Sequence, residues 1–249
     1  MKLKILLLSF LAVFLCASIA SATTIPFGDS SNYWPGWYNN DGTHGDDGND
    51  TIGVPDFTGG TAEVNSGNLA ELTFNRLSGS HLYSVLSPGD LFIDIGSDDS
   101  WDYVVDLTNW STSGPNVPDP GSGNYYIYAL SGDWGFIYSG KDKTDPWGSY
   151  YIRDDHPVAW DNILGWQQGG EGLVSFSGWG DGNTTSYTFD FTGLGLDVGG
   201  SFTIGWTLNC ANDVLYEQVP VPEPATMFLL GSGLIGLGAI GRRKFFKKS

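Results

Sequence analysis

The chain has 249 residues, a formal net charge of −17 and 14% aromatic side chains. So acidic a surface repels nucleic acid and anionic lipid headgroups, and so many aromatics argue against the disorder usual in acidic chains. With both ends set aside, roughly 200 residues remain, enough for one domain with a real core, and in them only Arg76, Lys141, Lys143 and Arg153 offset 27 carboxylates.

The first 22 residues read as a secretory signal helix. Lys2 and Lys4 form a basic start, Ile5 to Leu15 an apolar stretch, and Ala20-Ser21-Ala22 a small-x-small cleavage site. Cleavage there starts the mature chain at Thr23 and leaves Cys210 as its one thiol, which excludes an intrachain disulfide. Residues 23–218 read as the exported domain.

Two constellations follow closely. Tyr33-Trp34-Pro35-Gly36-Trp37-Tyr38 has the composition of a sugar-stacking platform, with Trp34 and Trp37 offering flat faces to a pyranose. Large aromatics serve equally well as core anchors. Gly45-Asp46-Asp47-Gly48-Asn49-Asp50-Thr51-Ile52-Gly53 matches a calcium-binding nonapeptide at all but its second position. Its carboxylates Asp46, Asp47 and Asp50 suit a hard cation. A single copy cannot build a repeated calcium roll, so an acidic loop leading into a strand is the competing reading.

From there to Pro222 no stretch sustains a helical period, and alternation marks strands. Ala70, Leu72 and Phe74 alternate with polar residues, as do Tyr187 to Phe191; Trp101, Tyr103, Val105 and Leu107 alternate with Asp102, Val104 and Asp106, and Phe202 to Cys210 with Thr203, Gly205, Thr207 and Asn209. Leu91–Ile95, Thr61–Asn65, His81–Leu86, Tyr125–Leu130, Phe136–Tyr138, Ser149–Arg153 and Leu173–Ser177 are further candidates. Gly59-Gly60, Asn65-Ser66-Gly67-Asn68, Ser87-Pro88-Gly89-Asp90, Asp181-Gly182-Asn183 and Gly199-Gly200 read as turns. Ten or more short strands at this spacing predict an all-β, antiparallel two-sheet sandwich, jelly-roll or lectin-like. Alternation puts Cys210 on the apolar face of its strand.

No catalytic set stands out. Arg153-Asp154-Asp155-His156 gathers rare ionisable types, and Asp98-Asp99 and Asp154-Asp155 are paired carboxylates. Pairs adjacent in sequence say nothing about the spacing across a sugar that a glycosidase needs. The chain contains no Gly-x-Ser-x-Gly, His-Glu-x-x-His or phosphate-binding glycine loop.

The C-terminus is the most specific part. Residues 219–224 form a spacer with Pro220, Pro222 and Pro224 at every second position. Proline fixes φ and pushes its predecessor to extended geometry, so the expectation is a stiff polyproline-type strand fit for a protease. Residues 225–241 carry no charge and are glycine-rich; as a helix they reach about 26 Å, slightly under a hydrocarbon core of about 30 Å. Residues 242–249 hold Arg242, Arg243 and Lys244 with Lys247 and Lys248, a basic cytoplasmic stop.

Val-Pro-Glu-Pro-Ala-Thr, an apolar glycine-rich helix and Arg-Arg-Lys in this order resemble the PEP-CTERM sorting signal of Gram-negative bacteria. The resemblance covers about the last thirty residues. It implies that an exosortase, a membrane cysteine protease, processes the tail near Pro222-Glu223-Pro224, and that the cargo reaches the cell surface or the exopolysaccharide matrix. The same tail is sometimes labelled after ice-binding proteins, but this chain has no regular Thr-x-Thr ladder.

The sequence therefore points to a non-enzymatic surface protein, without a required cofactor, whose partners are the export machinery, the exosortase and the membrane through its tail. Its domain is expected to be structural or exopolysaccharide-binding, the alternative being an extracellular glycan-active enzyme.

Overall fold

The computed structural model describes residues 22–31, 34, 56–77, 89–98, 100–107, 122–130, 135–138, 157–161, 167–177, 184–208, 211, 213–222 and 233. Twelve strands occur among them: β1 (Ala22–Phe27), β2 (Asp56–Asn65), β3 (Asn68–Leu77), β4 (Leu91–Ile95), β5 (Tyr103–Asp106), β6 (Ser122–Ala129), β7 (Gly135–Tyr138), β8 (Pro157–Asp161), β9 (Gln167–Ser177), β10 (Thr184–Asp190), β11 (Ser201–Thr207) and β12 (Val214–Pro220). Residues Thr23–Val221 make one compact unit. The segments read as signal and membrane helices lie almost wholly outside the described residues. Among the described residues no helix is long and apolar enough to cross a membrane.

The unit is all-β and antiparallel. Ten strands form one hydrogen-bonded sheet in the order β1-β2-β3-β10-β9-β6-β5-β4-β11-β12, and β7 and β8 form a separate pair. The sheet curves until its two edges approach, giving it a near-barrel form. Where β12 nears β2, the Phe57 backbone N–H donates to Asp213 Oδ2. The Ser30 N–H donates to Glu217 Oε1 on the same side. Side-chain carboxylates thus bridge a seam that the backbone ladder leaves open.

The strands with strong alternation formed as their sequences predict. Leu72 and Phe74 of β3, Phe189 of β10, and Phe202, Ile204 and Trp206 of β11 are all fully buried. They belong to one large cluster centred on Trp206. Rings of Phe74, Tyr187, Phe57 and Phe189 surround that indole at 4.7, 5.0, 5.1 and 5.7 Å between centroids. Its Nε1–H donates to the Gly89 carbonyl at 2.9 Å, which satisfies the one polar group that burial would otherwise strand.

A second apolar cluster lies on the other face of β4, β5, β11 and β12. Trp34, Phe92, Val104, Trp160 and Val214 form it, with Trp101, Tyr128, Leu130, Phe136 and Tyr216 partly buried against it. The β7–β8 pair supplies Phe136 and Trp160. A buried carboxylate ties β8 down: Asp90 accepts from the backbone N–H of Leu107 at 2.9 Å and of Trp160 at 3.1 Å.

The turn expected at Asn65-Ser66-Gly67-Asn68 forms as a hairpin, with φ of 53° at Ser66 and 86° at Gly67, the primed geometry that suits strand twist. Two other local expectations change. Gly59-Gly60 is no turn. It lies inside β2 at a break in register with β3. A Cβ at Gly60 would sit 1.9 Å from the Thr73 carbonyl oxygen, and one at Gly59 would sit 2.3 Å from that of Phe27. The glycines mark a bulge where neighbouring backbones approach too closely for any side chain. At the far end, β12 continues to Pro220 and Val221 is buried. The segment read as a spacer from residue 219 therefore begins as the last strand of the domain. The expected strands His81–Leu86 and Ser149–Arg153 lie outside the described residues, as does Cys210.

Candidate functional site

Trp34 is placed by its neighbours. Its ring lies 5.3 Å from Trp101, 5.7 Å from Phe92, 5.8 Å from Phe136 and 5.8 Å from Tyr216. Below it, Gly205 makes room: a Cβ there would stand 2.6 Å from the Trp34 ring and 2.8 Å from that of Trp101. Trp34 is 5% exposed, whereas stacking on a sugar needs an open ring face. Its partner in the expected platform, Trp37, lies outside the described residues. Trp160, another tryptophan with acidic neighbours in sequence, is also buried, 5.1 Å from the Tyr128 ring. Among the described residues, the partly exposed aromatics around this cluster are Trp101, Tyr128, Phe136 and Tyr216.

The nonapeptide carboxylates Asp46, Asp47 and Asp50 lie outside the described residues, as do Arg153, Asp154, Asp155 and His156. Another acidic group comes together at the seam. Asp29 follows β1, Asp56 opens β2 and Asp213 precedes β12, and one oxygen from each falls within 4.8 Å of the others. Asp213 is fully buried. Three carboxylates at this spacing are a donor set that suits a hard divalent cation. Sequence reasoning missed them because positions 29, 56 and 213 share no motif. Only the meeting of the sheet edges makes them neighbours.

Several other described acidic side chains organise the backbone. Asp94 and Asp102 hold the β4–β5 connection by accepting from the N–H groups of Asp98 at 3.2 Å and Ile95 at 2.7 Å. Thus Asp98 of the expected pair Asp98-Asp99 sits in a structured turn. Burial raises the Tyr125 phenol above its usual range, and the charge of Asp190 adds to the shift. Its hydroxyl donates to the Asp190 carbonyl at 2.6 Å. Burial also raises Tyr187, with Arg76 pulling in the opposite direction. The Arg76 guanidinium lies 5.4 Å from the Tyr187 ring centroid. Neutral phenols and a cation–π contact give these groups structural work.

Of the processing motif, Pro222 is described and exposed, two residues beyond the end of β12. Glu223 and Pro224 lie outside the described residues, together with Arg242, Arg243 and Lys244. Residues 220–244 match the family model of the PEP-CTERM protein-sorting motif. The chain carries a PEP-CTERM sorting signal. That signal implies export and exosortase-directed sorting at the membrane. No curated protein and no solved structure matches the chain.

Proposed function

We propose that the chain is a cell-surface or exopolysaccharide-matrix protein of a Gram-negative bacterium. It is exported by its N-terminal signal, held by residues 225–241 with Arg242, Arg243 and Lys244 as the cytoplasmic stop, and released when an exosortase cuts near Pro222-Glu223-Pro224. The observation that carries this reading is the sorting motif at residues 220–244, joined directly to the last strand of a β-domain. An extended proline-rich segment suits a protease that binds its substrate as a strand.

The domain acts without catalysis, as a structural or glycan-binding module, its long sheet folding over the Trp206 core in the manner of a jelly-roll or lectin. Burial of Trp34 favours the structural role and moves any sugar contact to Trp37 or to the rim of Trp101, Tyr128 and Tyr216. A glycan-active enzyme is the alternative, and turnover of a labelled polysaccharide would establish it.

The sorting reading is tested by replacing Pro222, Glu223 and Pro224 with alanine. The expected result is a larger, membrane-retained form. Equal release of variant and wild type into the matrix or medium would reject it.

A further inference from the structure

The sorting motif and the folded domain overlap. The motif match begins at Pro220, while β12 ends there. Val219 pairs with Phe202 and Pro220 with Ser201 across the β11–β12 ladder. Val221 comes next and continues the docking. Its N–H donates to the Gly200 carbonyl at 3.0 Å. It is 7% exposed, and both it and Val219 belong to the main core cluster. Pro222 is exposed, as are the outward-facing Gln218 and Pro220 of β12, so Val221 is the last described residue docked in the core.

A protease that reads an extended segment must reach its backbone on both sides of the scissile bond. Upstream of Pro222 that backbone is committed to β11 and to the Gly200 carbonyl, and the side chains of Val219 and Val221 are inside. A cut within β12 would also take the core contacts of one edge of the ten-stranded sheet. A cut between Val221 and Pro222 would require the protease to engage the carbonyl of a residue whose N–H and side chain are docked in the domain.

We infer that the exosortase cuts on the C-terminal side of Pro222, so that Val221 and Pro222 stay with the mature domain and β12 sets the upstream limit of the processing site. Hydrolysis there adds one water across a peptide bond and leaves the new carboxylate on Pro222 or a later residue. The folded domain is then itself the substrate, and release needs no unfolding. This inference rests on the sorting reading above and adds to it the side of Pro222 on which the bond is broken.

The test is intact-mass and C-terminal peptide analysis of the released protein, produced from the full chain in a host with its exosortase. The expected C-terminal residue is Pro222 or a later one, with the Val221 amide still protected from hydrogen exchange. A second chain carries Gly-Ser-Gly-Ser between Val221 and Pro222, which leaves β12 intact and moves the motif away from it. Its released end is expected downstream of Val221 too. A product ending at Val221 or earlier, in either chain, overturns the inference while leaving exosortase sorting in place. A wild-type chain that is never shortened at its C-terminus overturns both.

Discussion

The two apolar clusters sit on opposite faces of the same strands and are built differently. Around Trp206 most inward positions come from regular strands, and the indole is enclosed by rings from β2, β3 and β10. Around Trp34 the strands supply Phe92, Val104 and Val214, but the covering residues Trp34, Trp101, Phe136 and Trp160 come from connections and from the small β7–β8 pair. The first is a sheet closing on its own interior. The second is a cap laid over an outer face. Aromatic content therefore does not separate a binding platform from packing; what matters is whether something lies on the ring.

Substitutions should separate the two clusters. The largest effect is expected from Trp206→Ala, which empties the centre of the main core and should cost about 3–5 kcal/mol, read as a lower urea midpoint. Equal losses from Trp206→Ala and Trp34→Ala would mean that the inner cluster does not dominate stability. Next comes Asp90→Asn. An amide in place of the carboxylate gives up one of the two side-chain oxygens that accept from the backbone N–H groups of Leu107 and Trp160 at the join of β8 to the sheet, at about 1–3 kcal/mol. Hydrogen exchange should rise at Trp160 before it rises at Leu72. Gly205→Ala pushes a methyl group against Trp34 and Trp101 and should cost about 1–3 kcal/mol by overpacking. Tryptophan fluorescence should report the outer cluster disturbed while the amides of β3 and β10 stay protected.

The smallest effect near neutrality is the alkaline one. Tyr125 and Tyr187 belong to the main core and have raised pKa values, so the folded state holds their protons more tightly than the unfolded state does. Their contribution is complete below the ordinary tyrosine value of about 10 and declines as pH rises above it, by up to about 1.4 kcal/mol per pH unit for each. Denaturant midpoints at pH 9 and 11 should show that decline, and Tyr125→Phe should flatten it. A flat profile in the wild type would mean that these phenols ionise as readily folded as unfolded.

How much could be read in advance followed from locality. β3, β4, β10 and β11 alternate within themselves, so one face is written in a few residues. β1 and β8 contain Pro26 and Pro157, and β12 runs into the proline-rich tail, so their composition points away from a strand although their neighbours hold them in one. Gly59-Gly60 reads as a turn because a close approach of backbones leaves the same residues as a reversal does. At the candidate sites, the sorting motif was legible because a protease reads it as linear sequence. The cover over Trp34 and the group of Asp29, Asp56 and Asp213 were illegible because folding alone brings their parts together.

The strand order carries a consequence for timing. β3 lies beside β10, and Thr73 meets Thr188 across 115 residues of chain at 3.0 Å between hydroxyl oxygens. β11 lies beside β4, and the seam needs β12, the last strand before the tail. Pairings this distant in sequence make folding slow, because long loops must close before any contact rewards them. The sheet therefore cannot close its seam until β12 is available, and the domain reaches its native form only once the strand next to the sorting motif is in place.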